Sequence, residues 1–573
     1  MPTTRGLNFF LADPNLAFVS SVVMGEEVFA RARPHLVAMG EVAGGELDGL
    51  AAEADRNPPV LRAWSERGER VDEVVRHPAY RRMEELAFGR FGLAAMSHRP
   101  GVLGWPGVVP HAVKYALSYL FGQSEFGLLC PVSLTDSTAR MLARYGSAEL
   151  RRAWLAGLTA TDPDRLRQGT QWMTERSGGS DVGATESVAR QGPDGVWRLW
   201  GDKWFCSNAN ADVALTLARP EGAPPGTRGL GMFLLPRRLP DGSRNAWTIN
   251  RLKDKLGSRS MATGEVSYQG AVAWPVGPLD QGFRQMMEMV NVSRLSNAMR
   301  AAAIMRRSLL EAVVHARGRR AFGGPLMALP LLRSGLLEML LDVEAAASVV
   351  LNAAARLDAW DAGSAADRAL FRVLTPLAKY WITARARVVA GEAMNVRGGN
   401  GYVEEWVNPR LLRDSYLGAI WEGATNVVAL DVQRAILRDG GLEAVARLVR
   451  ERVGLVRVPV AEPWRDVVLD GIARLEREAA GWPAATREER DLAARPAADA
   501  LYHLLAAALL LHEGQVLLDG GGGHRKLAVA GLYARRWLLP PRTPVLGAAD
   551  LGWLDALLDW DPVPAGAVPA PGA

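Results

Sequence analysis

The segment Thr170-Gln-Trp-Met-Thr-Glu-Arg-Ser-Gly-Gly-Ser-Asp-Val182 joins an apolar start to a glycine-containing end, and the organisation of the chain follows from it. Its apolar beginning is typical of a strand end, and its glycine-containing end is typical of a loop whose backbone N–H groups approach a phosphate closely. The hydroxyl of Ser180 would add a further donor. A Gly-Gly-Ser-Asp sequence between two elements is most often only a turn. The choice between a turn and an anion-binding loop therefore depends on the rest of the chain.

Length and composition indicate a globular protein of several units. At 573 residues the chain exceeds one compact core, which predicts about three or four structural units. The only cysteines are Cys130 and Cys206, which excludes a disulfide framework, and the eight histidines lack ligand spacing, so no metal site is predicted. The longest apolar run, residues 504–511, is too short to span a bilayer, and the N-terminus has no charged region followed by an apolar core. We expect a soluble cytoplasmic protein without a membrane partner.

The periodicity of apolar residues changes along the chain and predicts four regions. Residues 1–169 show helical spacing interrupted by proline and glycine, and residues 170–275 show short strands. Helical spacing returns in residues 276–437, and residues 438–573 form a helical extension. The last stretch, residues 561–573, is rich in Pro, Ala, Gly and Val and is predicted to be mobile. The predicted fold class is mainly α with a central β domain.

The β region is predicted to be a small barrel or sandwich rather than a parallel sheet. The predicted strands and turns are residues 196–200, 213–218, 232–235 and 265–268, with turns at 193–195 and 240–242. Residues 203–208, Lys-Trp-Phe-Cys-Ser-Asn, place aromatic rings beside small polar groups. Such a row is most often barrel core, but it would also wall a planar, partly polar ring system.

Two glycine-rich interruptions and one glutamate stand out in the third region. Arginines adjoin glycine turns at residues 318–323 and 397–402, a pattern that fits either a solvated helix end or a pyrophosphate contact. Glu422 lies between Ile420-Trp421 and Gly423. A lone glutamate normally faces solvent, but these neighbours favour a pocket, where burial would raise its pKa toward that of a useful base.

Taken together, these motifs resemble the acyl-CoA dehydrogenase flavoprotein family over residues 80–437, in the family's order and with suitable spacing. The carrying motifs are Met173-Thr174-Glu175 followed by Gly179-Ser180-Asp181, residues 203–208, 319–323 and 398–401, and Trp421-Glu422-Gly423. Leu129-Cys130-Pro131, residues 251–259 and the extension past residue 437 look like the AidB-like branch, which contains flavoproteins of the bacterial DNA-alkylation response. The implied fold is an N-terminal helical bundle, a β-barrel and a C-terminal helical bundle, here with a helical extension.

The resemblance implies FAD as the cofactor and a site for each part of it. The residues that match the family's cofactor contacts are Met173 and Thr174 at the flavin ring, Ser180 at the pyrophosphate, Phe205 and Ser207 beside the reactive face, Arg319 and Phe322 toward FAD of a neighbouring subunit, Arg397, Gly398 and Gly399 at the adenine side, and Asn426 after the glutamate. Sharing a cofactor between subunits implies a homo-oligomer, in this family commonly a tetramer.

Glu422 matches the family's catalytic base, which removes the α-proton of an acyl thioester while the β-hydrogen leaves as hydride. At the family's alternative base position, before Arg294, this chain has Ser293, so Glu422 is the only candidate. Two departures weaken single cofactor contacts: the usual glutamine is absent near Leu329-Pro330, and Ala424 replaces a hydroxyl residue. The implied activity is FAD-dependent dehydrogenation of an acyl-CoA substrate.

The alternative function is that of an AidB-like DNA-binding flavoprotein with little dehydrogenase activity. Residues 440–573 contain 15 Lys plus Arg against 17 Asp plus Glu, a net charge of −2, so any DNA binding is predicted to be weak. Arg525, Lys526, Arg535 and Arg536 could still form a local basic patch, although a flexible loop and a solvated helix face are the more ordinary interpretation of that segment.

Overall fold

A computed structural model describes residues 2–540 and 545–571. The chain forms two compact units, and each draws on several stretches of sequence. The helical unit comprises Met1–Gly45, His111–Gln123 and Asn297–Ala573, and the barrel unit comprises Glu46–Pro110 and Ser124–Ser296. The unit boundaries therefore do not follow the four consecutive regions that apolar periodicity suggests.

Helices account for most of the chain. In chain order they are α1 Pro14–Met24, α2 Glu26–Val42, α3 Asp48–Arg56, α4 Pro78–Glu84, α5 His111–Gly122, α6 Leu129–Tyr145, α7 Ala148–Leu158, α8 Gly282–Gly318, α9 Pro330–Asp361, α10 Ala365–Arg397, α11 Asn408–Gly418, α12 Thr425–Arg438, α13 Gly441–Gly454, α14 Glu462–Gly481, α15 Arg487–Asp519, α16 Arg525–Leu538, α17 Ala548–Gly552 and α18 Leu554–Asp559.

In the part of the chain that the structure describes, strands occur in a barrel and in two separate hairpins. In chain order they are β1 Val60–Trp64, β2 Arg70–Val75, β3 Gly169–Trp172, β4 Val188–Gln191, β5 Trp197–Ser207, β6 Val213–Pro220, β7 Gly231–Pro236, β8 Trp247–Leu252, β9 Thr263–Pro275, β10 Arg320–Ala321 and β11 Gly324–Pro325.

Strands β3 to β9 form one sheet that closes on itself. β6 pairs with both β4 and β7, and the path from β4 to β7 runs through β5 and β9, which completes the ring. β3 adds to β6 in parallel, and β8 adds to β9 in antiparallel register. The predicted strands and both predicted turns are present, so the prediction of a barrel is confirmed.

The barrel core is built from inward-facing apolar side chains. Trp172 at the end of β3 packs edge-on against Trp247, with ring centroids 5.2 Å apart. The indole N–H of Trp172 also donates to the carbonyl of Ser207 at 3.1 Å. These contacts fix the end of β3 against β5, and the loop that follows β3 begins from a rigid position.

The hairpin of β1 and β2 was not expected, because residues 1–169 read as mostly helical. Val60 pairs with Val75 and Arg62 with Glu73 in antiparallel register. One face of the hairpin, including Val74, joins the barrel core. The β-branched valines at 71, 74 and 75 are the strand signal that helical spacing on either side obscures.

The extension past residue 437 is part of the helical unit. Helix α15 is apolar and long enough to cross a membrane by composition, but 78% of its most apolar window is buried inside the protein, as in a core helix. The prediction of a mobile end is wrong for residues 561–571: Val563 and Val568 are buried, and the carbonyl of Pro569 accepts a hydrogen bond from the Trp464 indole at 2.6 Å. Residues 572 and 573 lie outside the described residues.

Candidate functional site

The loop after β3 lies on the surface of the barrel unit and depends on its glycines. Gly178 has φ +132°, a backbone conformation that side chains disfavour, and its N–H donates to the Glu175 carbonyl at 3.1 Å. A Cβ on Gly179 would lie 2.6 Å from the Thr174 hydroxyl oxygen. Ser180 is exposed, while Met173 and Thr174 are half-buried. The loop therefore offers open backbone and hydroxyl groups, as an anion site requires.

Strand β5 lies directly beside this loop. The backbone N–H of Trp204 donates to the Thr174 carbonyl at 2.8 Å. Phe205, the next residue of β5, therefore lies close to Thr174. The Phe205 ring is 55% exposed, an unusual state for a phenylalanine on a barrel strand. The carbonyl of Ser207 accepts hydrogen bonds from Thr170 and Trp172. Five predicted site residues of the barrel unit thus belong to two adjoining segments.

A buried ion pair lies beneath the loop. Lys203 of β5 donates to Glu175 at 2.6 Å, and both side chains are almost fully buried. Burial alone would raise the pKa of Glu175, but the Lys203 ammonium and the hydrogen bonds to the carboxylate hold it below its usual value. The pKa of the neighbouring Cys206 thiol is raised by burial, so this cysteine stays protonated. Sequence reasoning missed the role of this pair, although a lysine at an inward register of a strand was a usable signal.

In the helical unit, Glu422 lies on a strained turn between α11 and α12. Its φ is +55°, and Gly423 follows with φ +105°. Non-glycine residues with positive φ are uncommon and persist where surrounding contacts enforce them. The Glu422 side chain is half-buried rather than enclosed.

Three contacts hold the turn that carries Glu422. The buried ammonium of Lys379 in α10 donates to the Gly423 carbonyl, and the side-chain amide of Asn297 donates to the Gly418 carbonyl at 2.9 Å. The guanidinium of Arg300 lies over the Trp421 ring, 4.6 Å from its centroid. Because Lys379 and Arg300 are themselves buried, the backbone on both sides of Glu422 is fixed by the core.

Arg319 and Phe322 project from the helical unit. Phe322 and Gly323 are the central residues of the hairpin of β10 and β11, and both have positive φ, which is the pattern of a type I′ turn. The Phe322 ring is 91% exposed, and Arg319 is also exposed. Neither contributes to the interior of its own unit, so both side chains are available to a molecule outside it.

Arg397 differs from its predicted neighbours, because its side chain points into the protein. It donates to Glu311 and lies over the Trp406 ring, 4.3 Å from its centroid. Gly398 and Gly399 are exposed, and a Cβ on either would meet open space. The guanidinium therefore secures the end of α10, while the two glycines present the backbone. Asn426 is exposed in the first turn of α12.

The same carboxylate that binds Arg397 also joins the N-terminal segment to α8. Glu311 accepts hydrogen bonds from Thr4 and from Arg307, the latter at 2.9 Å. All of these side chains are buried. Nothing in the local sequence around Thr4 indicates this long-range contact, so sequence reasoning could not have found it.

The chemistry of these donors fits FAD. The exposed Phe205 ring and the half-buried Met173 suit a planar ring, while Thr174, Ser180 and the open backbone of Gly178–Gly179 suit ring heteroatoms and a pyrophosphate. The predicted residues of the barrel unit adjoin one another. Those of the helical unit lie on three segments: the β10–β11 hairpin, the end of α10, and the turn and helix start that carry Glu422 and Asn426.

Three segments of the sequence match described protein families. Residues 280–437 match "Acyl-CoA dehydrogenase, C-terminal domain", residues 170–271 match "Acyl-CoA dehydrogenase, middle domain", and residues 1–165 match "Adaptive response protein AidB N-terminal domain". AidB of Escherichia coli is 36% identical over 405 residues, which cover 68% of this chain and 71% of that protein. The chain belongs to the acyl-CoA dehydrogenase family. The amino-terminal match places it in the AidB-like branch.

Other relatives of this acyl-CoA dehydrogenase family member agree with that assignment. Acyl-CoA dehydrogenase family member 11 of Caenorhabditis elegans is 31% identical over 458 residues, which cover 78% of this chain and 74% of the relative. The crystal structure of C. elegans ACDH-11 in complex with C11-CoA superimposes with a TM-score of 0.88 at 28% identity, over 98% of this chain and 96% of that one. The protein is therefore an FAD-dependent oxidoreductase of the acyl-CoA dehydrogenase type.

The basic patch suggested for this family member's extension is wrong. Arg525 and Lys526 are buried, and they bind Glu344 at 2.5 Å and Glu513 at 2.7 Å respectively. Arg535 is buried against Asp550, and Arg536 binds Glu338 at 2.8 Å. The burial of Arg525, Lys526 and Arg535 also excludes a solvated helix face at these residues, whereas residues 519–521 of the preceding glycine loop are exposed. Because their acidic partners lie on other helices, these four basic residues belong to an internal network of ion pairs and not to a cationic surface.

Proposed function

We propose that this acyl-CoA dehydrogenase removes the α-proton of an acyl-CoA thioester with the carboxylate of Glu422. The carrying observation is the turn at Glu422, where positive φ at two consecutive residues is enforced by the buried Lys379 and by the anchored Trp421. Strain that the core maintains is typical of a functional residue. Bound FAD supplies the acceptor for the hydride that leaves the β-carbon. The product is the α,β-unsaturated thioester, so two hydrogens leave the substrate, one as a proton and one as a hydride.

The proposed roles of the remaining residues follow from the side-chain and backbone groups that they present. Phe205, Met173 and Thr174 orient the flavin ring, and the loop that contains Ser180 holds the pyrophosphate through its backbone and hydroxyl donors. The backbone of Gly398 and Gly399 faces the adenine part of FAD. The buried side chain of Arg397 holds these two glycines in position. Asn426 reaches the cofactor from the start of α12.

We further propose a homotetramer located in the cytoplasm. The support for subunit contact is the exposed pair Arg319 and Phe322 at the β10–β11 hairpin. The support for a reducing compartment is that both cysteines are free. A role in the DNA-alkylation response has no such support, because the four basic residues that suggested a DNA surface are engaged by carboxylates.

The test is anaerobic bleaching of the FAD-loaded protein by short, branched and long acyl-CoAs. Glu422→Gln keeps the size and hydrogen bonding of the side chain but removes its basicity. We expect FAD to remain bound while bleaching slows by about 10²–10⁴-fold, the usual contribution of a general base. Equal bleaching by both proteins would remove Glu422 from the mechanism. A wild-type protein that no thioester bleaches would favour a non-dehydrogenase function.

A further inference from the structure

The ion pair beneath the loop makes further hydrogen bonds besides the one that joins its two members. The Lys203 ammonium binds the Glu175 carboxylate at 2.6 Å and also donates to the carbonyl of Leu217 at 3.0 Å. Both charged groups lie on the inner side of the loop, with no more than 5% of either side chain exposed. A buried charge pair without further hydrogen bonds contributes little to stability. The additional partners of Glu175 therefore indicate what the pair does.

Those partners come from the far end of the loop. One carboxylate oxygen of Glu175 accepts from the backbone N–H of Glu186 at 2.6 Å. The other accepts from the backbone N–H of Ser187 at 3.2 Å and from its hydroxyl at 2.6 Å. Glu175 is the residue before the loop, and Ser187 is the buried residue directly before β4. A single carboxylate thus fastens both ends of the segment that contains Gly178, Gly179 and Ser180.

Within the segment, the Gly183 carbonyl accepts a hydrogen bond from Arg219 at 2.9 Å, and the Arg176 guanidinium lies 4.9 Å from the centroid of the Trp204 ring. The stretch between these two contacts contains both glycines. Residues 176–181 are all exposed, and the glycines at 178 and 179 widen the set of conformations available to a free chain. Holding the two ends together removes most of that freedom before any ligand binds. A loop prepared in this way binds an anion more tightly, because less ordering is required on association.

We propose that Glu175 and Lys203 are positioning residues for the cofactor: their buried pair closes the loop of residues 176–186 into the shape that receives the FAD pyrophosphate. Neither side chain touches the cofactor. Lys203 also neutralises the Glu175 carboxylate, whose negative charge would otherwise repel the pyrophosphate. This inference rests on the proposed function of the loop in holding FAD.

The decisive measurement compares FAD affinity with loop order in matched variants. Glu175→Gln retains the shape of the side chain but presents an NH₂ group where one backbone N–H needs an acceptor. Lys203→Met leaves the carboxylate without its cation. Glu186→Gln changes an exposed side chain of the same segment and is the control, because only its backbone takes part in the closure.

We expect the FAD dissociation constant, measured by quenching of flavin fluorescence, to rise about ten- to a hundredfold in Glu175→Gln and in Lys203→Met, as for lost charged hydrogen bonds. Glu186→Gln should bind FAD like the wild type. In the FAD-free proteins, trypsin should cleave after the exposed Arg176 faster in the two variants than in the wild type, as measured by mass spectrometry. The rate of cleavage reports loop order without requiring catalysis.

Ser187→Ala keeps the inference testable if the charge variants fail to fold. It removes only one neutral donor from Glu175, so the protein should fold, and the dissociation constant should rise by about three- to tenfold. The inference is overturned if Glu175→Gln or Ser187→Ala loses only stability to urea while FAD affinity and cleavage after Arg176 match the wild type. A wild-type protein that takes up no FAD would overturn the proposed function of the loop and this inference with it, which distinguishes the two failures.

Discussion

Lys379 donates a hydrogen bond from its fully buried ammonium to the backbone carbonyl of Gly423, the residue directly after Glu422. The side chain reaches this carbonyl from α10, a helix that is otherwise fixed in the core. The position of the proposed base is therefore set by a residue outside its own turn.

Replacing Lys379 by Met should separate catalysis from cofactor binding. The variant retains the length of the side chain but cannot hold the strained turn, so Glu422 should lose its orientation. We expect kcat for acyl-CoA-driven flavin reduction to fall by about ten- to a hundredfold with FAD occupancy unchanged. Thr383→Val, one helical turn away in α10, is the control, because the hydroxyl that it removes donates to the backbone carbonyl of Lys379 within the same helix. An equal loss of activity in both variants would assign the effect to α10 packing.

Adding one methyl group to Gly179 should weaken FAD binding. The Cβ of Gly179→Ala would lie 2.6 Å from the Thr174 hydroxyl oxygen, so the loop or Thr174 has to move. We expect the dissociation constant for FAD to rise about tenfold or more, since both residues lie on the proposed cofactor face. Ser177→Ala in the same exposed loop is the control and should bind FAD normally. Titration of the FAD-free proteins with the cofactor decides the matter.

Phe322→Asn should loosen the oligomer without harming the subunit. Asparagine is better suited than phenylalanine to the positive φ at this turn position, so the hairpin should be retained. Loss of the exposed ring should shift the protein toward smaller species in light scattering and weaken FAD binding in parallel. Leu492→Asn, which removes another highly exposed apolar side chain, is the comparison and should leave the assembly unchanged. A full-size oligomer with normal FAD content in Phe322→Asn would contradict the subunit role of this hairpin.

The stability of the protein should carry a pH dependence that traces to Asp358. Burial raises the pKa of this carboxyl from 3.8 to about 6, against hydrogen bonds from the backbone of His111 and Ala112 that lower it. Between these two values the folded state binds more protons than the unfolded chain, so the free energy of unfolding falls as the pH rises. The full difference corresponds to about 3 kcal/mol.

Asp358→Asn removes this titration, so urea unfolding at several pH values provides the measurement. The variant also weakens the hydrogen bonds that Asp358 accepts from the backbone at the start of α5. This loss lowers the free energy of unfolding by the same amount at every pH. Relative to wild type, its free energy of unfolding should improve by about 2.4 kcal/mol between about pH 4 and pH 7. The exposed Asp466→Asn is the control. A difference between Asp358→Asn and wild type that does not vary with pH would show that Asp358 titrates normally.

Arg525→Met should destabilise the protein rather than affect DNA. It leaves Glu344 buried with only Lys526 as a cationic partner, which is expected to cost about 3–5 kcal/mol in the free energy of unfolding. Exchanging both members, Glu344→Gln with Arg525→Met, should recover part of that loss. Retention on a DNA column at several salt concentrations should match the wild type in each folded variant. Reduced retention without reduced stability would restore the DNA surface that the buried network argues against.

The motif-bearing parts of the site were predictable because local sequence determines them. Gly178 and Gly179 signal a loop with special backbone requirements, and Phe205 stands in residues 203–208, where aromatic rings adjoin small polar groups. The family matches confirm the fold and FAD, while the individual site residues remain predictions.

The remaining features depend on pairs of residues that are distant in sequence. The charge of Arg525 or Lys526 on a helix ordinarily indicates a solvated face, and only the acidic residues on α9 and α15 reverse that interpretation. In the same way Thr4, Glu311 and Arg397 meet only in the folded chain. Composition and periodicity contain no information about such pairings.

The network around Glu344 also constrains the order in which the chain can fold during its synthesis. The carboxylate is on α9, but the arginine that neutralises it lies 181 residues further along. Until a ribosome has delivered that part of the chain, α9 cannot bury its charged side without a large penalty. The nascent helical unit must therefore leave the Glu344 side of α9 in contact with water until α16 has been synthesised and can pack against it.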